Sequence, residues 1–154
     1  MNLVTELHAI AAALKAARIS YAICGGVAVT AHGAVRSTKD IDVLVARPDL
    51  AAALEAIRPL GYVYLALPMV FDEGSERERH VQRVTKIVGK EHLLVDLLLA
   101  EGAFDGALED RLEVELPDGA ISIVSRATLF RMKRLAARAQ DLADLEKLEA
   151  IDES

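Results

Sequence analysis

The sequence has one cysteine, no tryptophan, three tyrosines and three phenylalanines in 154 residues. One cysteine excludes a disulfide framework and a Cys-rich zinc site. So few aromatics exclude a base-stacking platform for single-stranded nucleic acid. The four histidines show no ligand spacing to one another, which argues against zinc. No phosphate-loop pattern G-x-x-x-x-G-K-[ST] occurs. No long hydrophobic run occurs either. The apolar N-terminal stretch is interrupted by Glu6, His8, Lys15 and Arg18 and lacks a positive leading region. It therefore reads neither as a membrane span, which needs ~20 apolar residues, nor as an export signal. A cytoplasmic protein with no membrane partner is expected. The net charge of −6 excludes a general nucleic-acid-coating protein, which needs a broad basic surface.

What is present is a folding composition, with 53% hydrophobic and 27% charged residues. The length fits one domain spanning 1–154, able to bury roughly 68–70% of the unfolded chain's surface. Charge is unevenly spread. Glu6 is the only acidic residue before Asp40, and none falls between Gly119 and Gln140, where Arg126, Arg131, Lys133, Arg134 and Arg138 lie. That basic stretch reads either as the solvated face of a helix or as a local field for an anionic ligand.

The pattern predicts strands and helices within one domain. Its core covers about 14–124, with a helical segment at about 125–151. Leu3, Leu7, Ile10 and Leu14 recur at helical spacing over 3–17. Ile19 to Cys24 reads as a strand, Val27 to His32 as a helix or turn, and Ile41 to Ala46 as a strand. Pro48 opens a helix to about Leu60, which Gly61 ends. Tyr62 to Val70 looks extended, and Phe71 to Arg79 reads as a loop. His80 to Val88 and His92 to Ala100 follow as strands, then a short helix at Phe104 to Asp110. Pro117-Asp118-Gly119 is a turn between the strands Leu112 to Leu116 and Ala120 to Val124. Ser125 is placed to cap a helix from Arg126 to Gln140, and a last helix follows from Asp141 to about Ile151.

The chemistry concentrates in CGGVAVTAHGAVRSTKDIDVLV, residues 24–45. Asp40 and Asp42, two apart in a strand, project from one face, while Ile41, Val43 and Val45 take the other. Two anions held that close repel unless a cation lies between them, and hard oxygen ligands suit Mg²⁺. They read alternatively as exposed strand-end aspartates. Asp96 sits inside HLLVDLLLA, a run that reads as a strand buried on both faces. A carboxylate there needs a partner. That partner is either the metal shared with Asp40 and Asp42 or an arginine such as Arg83 or Arg36. Gly25-Gly26, between a strand and a helix, gives backbone a close approach to phosphate or simply makes a tight turn. Cys24 reads as a buried filler.

Gly25-Gly26, thirteen residues, Asp40-Ile41-Asp42 and then Asp96 resemble the signature of the DNA polymerase β-like nucleotidyltransferase superfamily. Arg36-Ser37-Thr38-Lys39-Asp40-Ile41-Asp42 resembles the R-x-T-x-D-I-D form of its small bacterial members. LFRMKRLAARAQDLADLEKL, with Lys133, Arg138, Asp141 and Asp144, is similar to a run in AbiEii-like abortive-infection and toxin–antitoxin nucleotidyltransferases. The resemblance implies an α+β nucleotidyltransferase fold, a short mixed sheet backed by helices with the aspartates on adjacent strands, and C-terminal helices. It further implies transfer of a nucleoside monophosphate from an NTP, ATP among the candidates, to a hydroxyl. Asp40 and Asp42 would hold two Mg²⁺ ions and Asp96 the catalytic one, beside the attacking hydroxyl. Gly25 and Gly26 would contact the phosphates, and Arg36 phosphate or acceptor. Lys133 reads either as reaching the triphosphate or as covering Phe130 with its stem. Asp141 and Asp144 are expected to pair with bases or cap a helix. The acceptor is an RNA end such as that of tRNA, a protein or a small molecule. Its site would come from the open cleft, a homodimer partner or a second protein. The alternative is a non-catalytic protein of the same fold that binds nucleotide or a protein partner.

Overall fold

The computed structural model describes residues 2–31, 40–136 and 139–153. The expectations for His32, Arg36 to Lys39 and Arg138 fall outside these residues. The chain opens with α1, Leu3–Ala16, whose first turn is capped by Asn2. The Asn2 side chain accepts from Val4 N at 2.9 Å and Thr5 N at 3.2 Å, which satisfies two otherwise orphaned amides. Strand β1, Tyr21–Cys24, runs directly into helix α2, Gly25–Ala31. Strand β2 is Asp40–Val45 and helix α3 is Leu50–Ile57.

Strands β3, Tyr64–Leu65, and β4, Met69–Phe71, are short. The long hairpin of β5, Arg79–Val88, and β6, Glu91–Leu99, follows, then β7, Leu112–Leu116, and β8, Gly119–Ile123. Helices α4, Arg126–Ala136, and α5, Ala139–Glu153, close the described chain. Thr128 N donates to Ser125 Oγ at 3.1 Å, so the expected cap is in place. Two expectations need correction. The helix expected from Pro48 to Leu60 is α-helical only at Leu50–Ile57, with 3₁₀ turns on either side. Pro48 and Pro59 sit in those turns, and the second lacks the N–H a continuing helix would use. The helix expected at Phe104 to Asp110 is a 3₁₀ turn, Gly102–Phe104, and further turns, because Gly102 and Gly106 take left-handed backbone angles.

The sheet has eight strands among the described residues, in the order β3-β5-β6-β2-β1-β8-β7, with β4 also paired to β5. It is mixed. β1 runs antiparallel to β2 and parallel to β8, and β2 runs parallel to β6. Alternation sends each strand's residues to two cores. Ile23, Ile41, Val43, Val45, Val95 and Leu97 join Ile10 and Leu14 of α1 and Ile57 of α3 on one face. Ala22, Cys24 and Leu44 join Leu129 of α4 and Leu148 of α5 on the other. Each fully buried Ile or Leu contributes roughly 1.5–3 kcal/mol of transfer free energy. α4 and α5 cover only part of that second face. The remainder, floored by β2, β6 and β5, is an open cleft. No helix among the described residues is long and apolar enough to cross a membrane.

Candidate active site

The cleft has a volume of about 350 Å³, within the range of small-ligand sites. The two-residue alternation of β2 puts Asp40 and Asp42 toward it and Ile41 and Val43 into the opposite core. In the parallel pairing of β2 with β6, Asp42 stands beside Asp96, one strand spacing (about 4.8 Å) away. The three aspartates named from the sequence thus share the cleft floor. β6 differs from its sequence reading as a strand buried on both faces. Leu93, Val95, Leu97 and Leu99 are buried, whereas Leu94, Asp96 and Leu98 are only partly so. Asp96 and Leu98 line the cleft, so Asp96 lies on the open face of a half-covered strand.

Asp96 has a protein partner. Arg83, opposite it in the antiparallel β5–β6 pairing, donates from Nε to Oδ1 at 2.8 Å and from a terminal nitrogen to Oδ2 at 3.0 Å. This two-point fork is a strong form of ion pair. The hydrogen bonds to Asp96 push the Arg83 guanidinium still higher than its ordinary value, and the charges of Asp40 and Asp42 add to the effect. Arg83, one of the two arginines offered by the sequence, is thus a partner of Asp96.

Gly25 is fitted to Asp42. Its φ is +65°, and a Cβ built there would lie 1.9 Å from Asp42 Oδ2. Only glycine takes that conformation without cost and leaves space for the carboxylate. Gly25-Gly26 lies at the cleft's edge, where β1 becomes α2. Cys24, next in line, is fully buried. Burial, then the Asp42 charge, pushes its thiol well above the ordinary range. That suits a filler rather than a nucleophile.

Lys133 enters from α4. It lines the cleft yet is 5% exposed. Its ammonium lies 3.2 Å from Asp141 and 3.3 Å from Asp144, both buried on α5. The two aspartates pair with a base, as expected, and they fix the lysine. The other α4 bases are spent locally. Arg126 and Arg134 stack on Phe130, each 5.2 Å from the ring centre, and Arg131 donates to the Asp105 carbonyl.

Among the described residues, no three His, Cys, Asp or Glu side chains stand assembled as ligands to one ion. The donor chemistry nonetheless fits a hard divalent ion. Asp40 and Asp42 share a strand face, Asp96 lies alongside, and Gly25 leaves Asp42 its space.

Sequence reasoning missed the far wall, formed by Met69, Phe71, Arg79 and Val81 beside Arg83. Arg79, Val81 and Arg83 are two apart along β5 and share its cleft face. That period was readable, but Arg79 had been placed in a loop.

No family model matches the chain, and no curated protein matches it significantly. Solved structures do match. The lincosamide antibiotic adenylyltransferase LnuA, with lincomycin bound, superposes with a TM-score of 0.60 at 15% identity, covering 96% of each chain. A Thermotoga maritima protein described only provisionally as a nucleotidyltransferase gives 0.62 at 15% identity, over 98% of this chain and 93% of that one. ANT(2″)-Ia in complex with adenylyl-2″-tobramycin gives 0.59 at 17% identity, over 94% and 86%. The chain has the nucleotidyltransferase fold.

Proposed function

We propose that this chain transfers a nucleoside monophosphate from an NTP to a hydroxyl acceptor at the cleft floor formed by Asp40, Asp42 and Asp96. The observation that carries this reading is the register of β2 against β6. It sets Asp42 beside Asp96, with Gly25 kept bare against the Asp42 carboxylate. The fold shared with the lincosamide antibiotic adenylyltransferase LnuA and with ANT(2″)-Ia, which was solved with adenylyl-2″-tobramycin, supports it.

Asp40 and Asp42 would hold Mg²⁺, with Asp96 contributing to the ion nearer the acceptor. When bound, two such ions stabilise the attacking and leaving oxygens of an in-line displacement. The backbone amides of Gly25 and Gly26 receive the β- and γ-phosphates. Lys133, held in place by Asp141 and Asp144, donates from its ammonium to a triphosphate oxygen, and Arg36 contacts phosphate or acceptor. The acceptor oxygen bonds to the α-phosphorus as the α–β bridging bond breaks, and pyrophosphate leaves with that electron pair. The hydroxyl proton passes to the Asp96 carboxylate, which Arg83 holds in orientation. ATP is the first donor to try, and a small molecule the first acceptor class, since one structure of this fold is a lincosamide antibiotic adenylyltransferase and another holds adenylyl-2″-tobramycin. Modification of an RNA end or a protein within a toxin–antitoxin pair is the alternative that the similarity of residues 129–148 raises. A second copy or a partner protein would then complete the acceptor site.

A second reading is favoured by one observation. The Arg83 fork already occupies Asp96, which suits a protein that binds nucleotide or a partner without turning nucleotide over. The two are separated by pyrophosphate release from each NTP with Mg²⁺ and a panel of hydroxyl acceptors. Transfer requires release that is lost in Asp40→Asn/Asp42→Asn. Nucleotide binding with no release from any donor and acceptor pair supports the binding protein.

A further inference from the structure

The sheet order gives the cleft a direction. Gly25 follows β1, Asp40 and Asp42 are on β2, Asp96 is on β6, Arg83 and Arg79 are on β5, and Met69 and Phe71 are on β4. If the glycines take the triphosphate, the α-phosphate lies over β2 and β6. The acceptor then approaches over β5 and β4, on the side of the aspartates away from the glycines. This wall lies three to four strand spacings from the glycines, roughly 14–19 Å.

Its chemistry is specific. The side chains that line it are Met69, Phe71, Val81 and Leu98, with Arg79 and Arg83 as its charges. The carboxylates lining the described cleft are Asp40, Asp42, Asp96 and Asp141, none of them on β4 or β5. Arg83 is neutralised by Asp96. Arg79 is not neutralised within the cleft. One terminal nitrogen donates outward to Asp72 at 2.8 Å, a carboxylate that is 47% exposed. Its guanidinium stands 5.6 Å from the centre of the Phe71 ring. Its Nε is buried and has no hydrogen-bond partner among the described residues. A buried N–H left without an acceptor costs about 1–3 kcal/mol, which an oxygen of a bound anion would recover.

We propose that the β4–β5 wall is the acceptor subsite and that it takes a hydroxyl compound bearing a phosphate or carboxylate, held by Arg79, on an apolar or aromatic body seated against Met69, Phe71 and Val81. This rests on nucleotidyl transfer at the aspartates. It sets the chain apart from an enzyme for polycationic acceptors, whose amines would meet Arg79. The covalent step is the one given above, with the acceptor's hydroxyl oxygen bonding to the α-phosphorus and pyrophosphate departing.

The test titrates phenyl phosphate, an anion on an aromatic body, into the full chain by calorimetry. It is run alone and with Mg²⁺ and a saturating non-hydrolysable ATP analogue, with tobramycin in parallel. Phenyl phosphate is expected to bind both ways. Arg79→Met should weaken it at least about tenfold, as loss of a charged hydrogen-bond donor does. Arg79→Lys should weaken it less, because it keeps the charge but loses the fork. Asp72→Asn guards against a misfolded Arg79 variant. It releases Arg79 from its exposed partner and should tighten binding by roughly 1.5- to 5-fold. Position 72 has a φ of 52°, which asparagine accepts. Phenyl phosphate binding that ignores both Arg79→Met and Asp72→Asn, or tobramycin binding where phenyl phosphate does not, overturns the proposal. If the ATP analogue does not bind while phenyl phosphate still depends on Arg79, the transferase reading falls and the anion site stands. Transfer from α-labelled NTP to a hexaribonucleotide 3′-hydroxyl or to 4-(hydroxymethyl)benzoate then identifies the source of the anion. Label on tobramycin alone counts against the anionic acceptor.

Discussion

Alanine at position 25 strikes the site at its tightest contact. The new Cβ would lie 1.9 Å from Asp42 Oδ2, 2.8 Å from its Cγ and 3.0 Å from its Cβ. The carboxylate must swing away, or the turn between β1 and α2 must open. The backbone at φ +65° adds a left-handed penalty of roughly 1–2 kcal/mol for a residue with a Cβ. Overpacking adds about 1–3 kcal/mol, for a total of roughly 2–5 kcal/mol. In a chain of this size each kcal/mol lowers the melting temperature by about 2–4 °C, so a drop of roughly 5–15 °C is expected. The contact itself is isolated by a double-mutant cycle with Asp42→Ala, which removes the carboxylate but leaves the backbone penalty. Thermal unfolding of wild type, both single variants and the pair should show a favourable coupling of about 1–3 kcal/mol. Additive effects, or a Gly25→Ala variant as stable as wild type, would refute the close fit of Gly25 to Asp42.

Asp96→Asn leaves the Arg83 fork without its anion, and in metal-free buffer it should lower stability by roughly 1–2 kcal/mol in urea unfolding, part of the pair's value being lost to solvent screening. An increase instead would mean that carboxylate repulsion with Asp42 dominates. Lys133→Met takes the ammonium away from Asp141 and Asp144, which are 1% and 0% exposed, and should cost about 3–5 kcal/mol by the same assay. Acid should weaken the contact between α1 and β5. Burial pushes the Glu6 carboxyl up, but its hydrogen bonds from Lys86 and Tyr62 more than offset this and hold it below its ordinary value of 4.5. A lowered carboxyl pKa contributes stability that is full above about pH 4.5 and fades as pH falls through the lower folded value. Glu6→Gln should therefore flatten the stability profile between about pH 5 and 3, as followed by urea midpoints.

Where one physical rule governed a segment, the sequence could be read. The period-two pattern of β2 separated Asp40 and Asp42 from Ile41, Val43 and Val45, and those two sets face the cleft and the core. Ser125 capped its helix because a hydroxyl there can serve Thr128 N regardless of tertiary setting. Long-range pairing was less legible. That Arg83 meets Asp96 depends on the register of the β5–β6 hairpin, which no local pattern fixes. The Leu-rich run around Asp96 suggested burial on both faces, yet α4 and α5 stop short of covering the β6 and β5 end of the sheet. Lys133 was ambiguous on a helical wheel because its partners, Asp141 and Asp144, come from the next helix. The acceptor wall was hidden for a related reason. Met69 and Phe71 belong to a strand of three residues, too short to show a period.

The measurement that bears most directly on nucleotidyl transfer at these aspartates is calorimetric titration of non-hydrolysable ATP, GTP, CTP and UTP analogues. Each is run with and without Mg²⁺, on wild type and on Asp40→Asn/Asp42→Asn. The expected result is binding of at least one analogue that requires Mg²⁺ and disappears in the variant while the variant stays folded. Binding of equal strength in the variant, or none by folded wild type, would contradict a metal–triphosphate site on the Asp40–Asp42 strand.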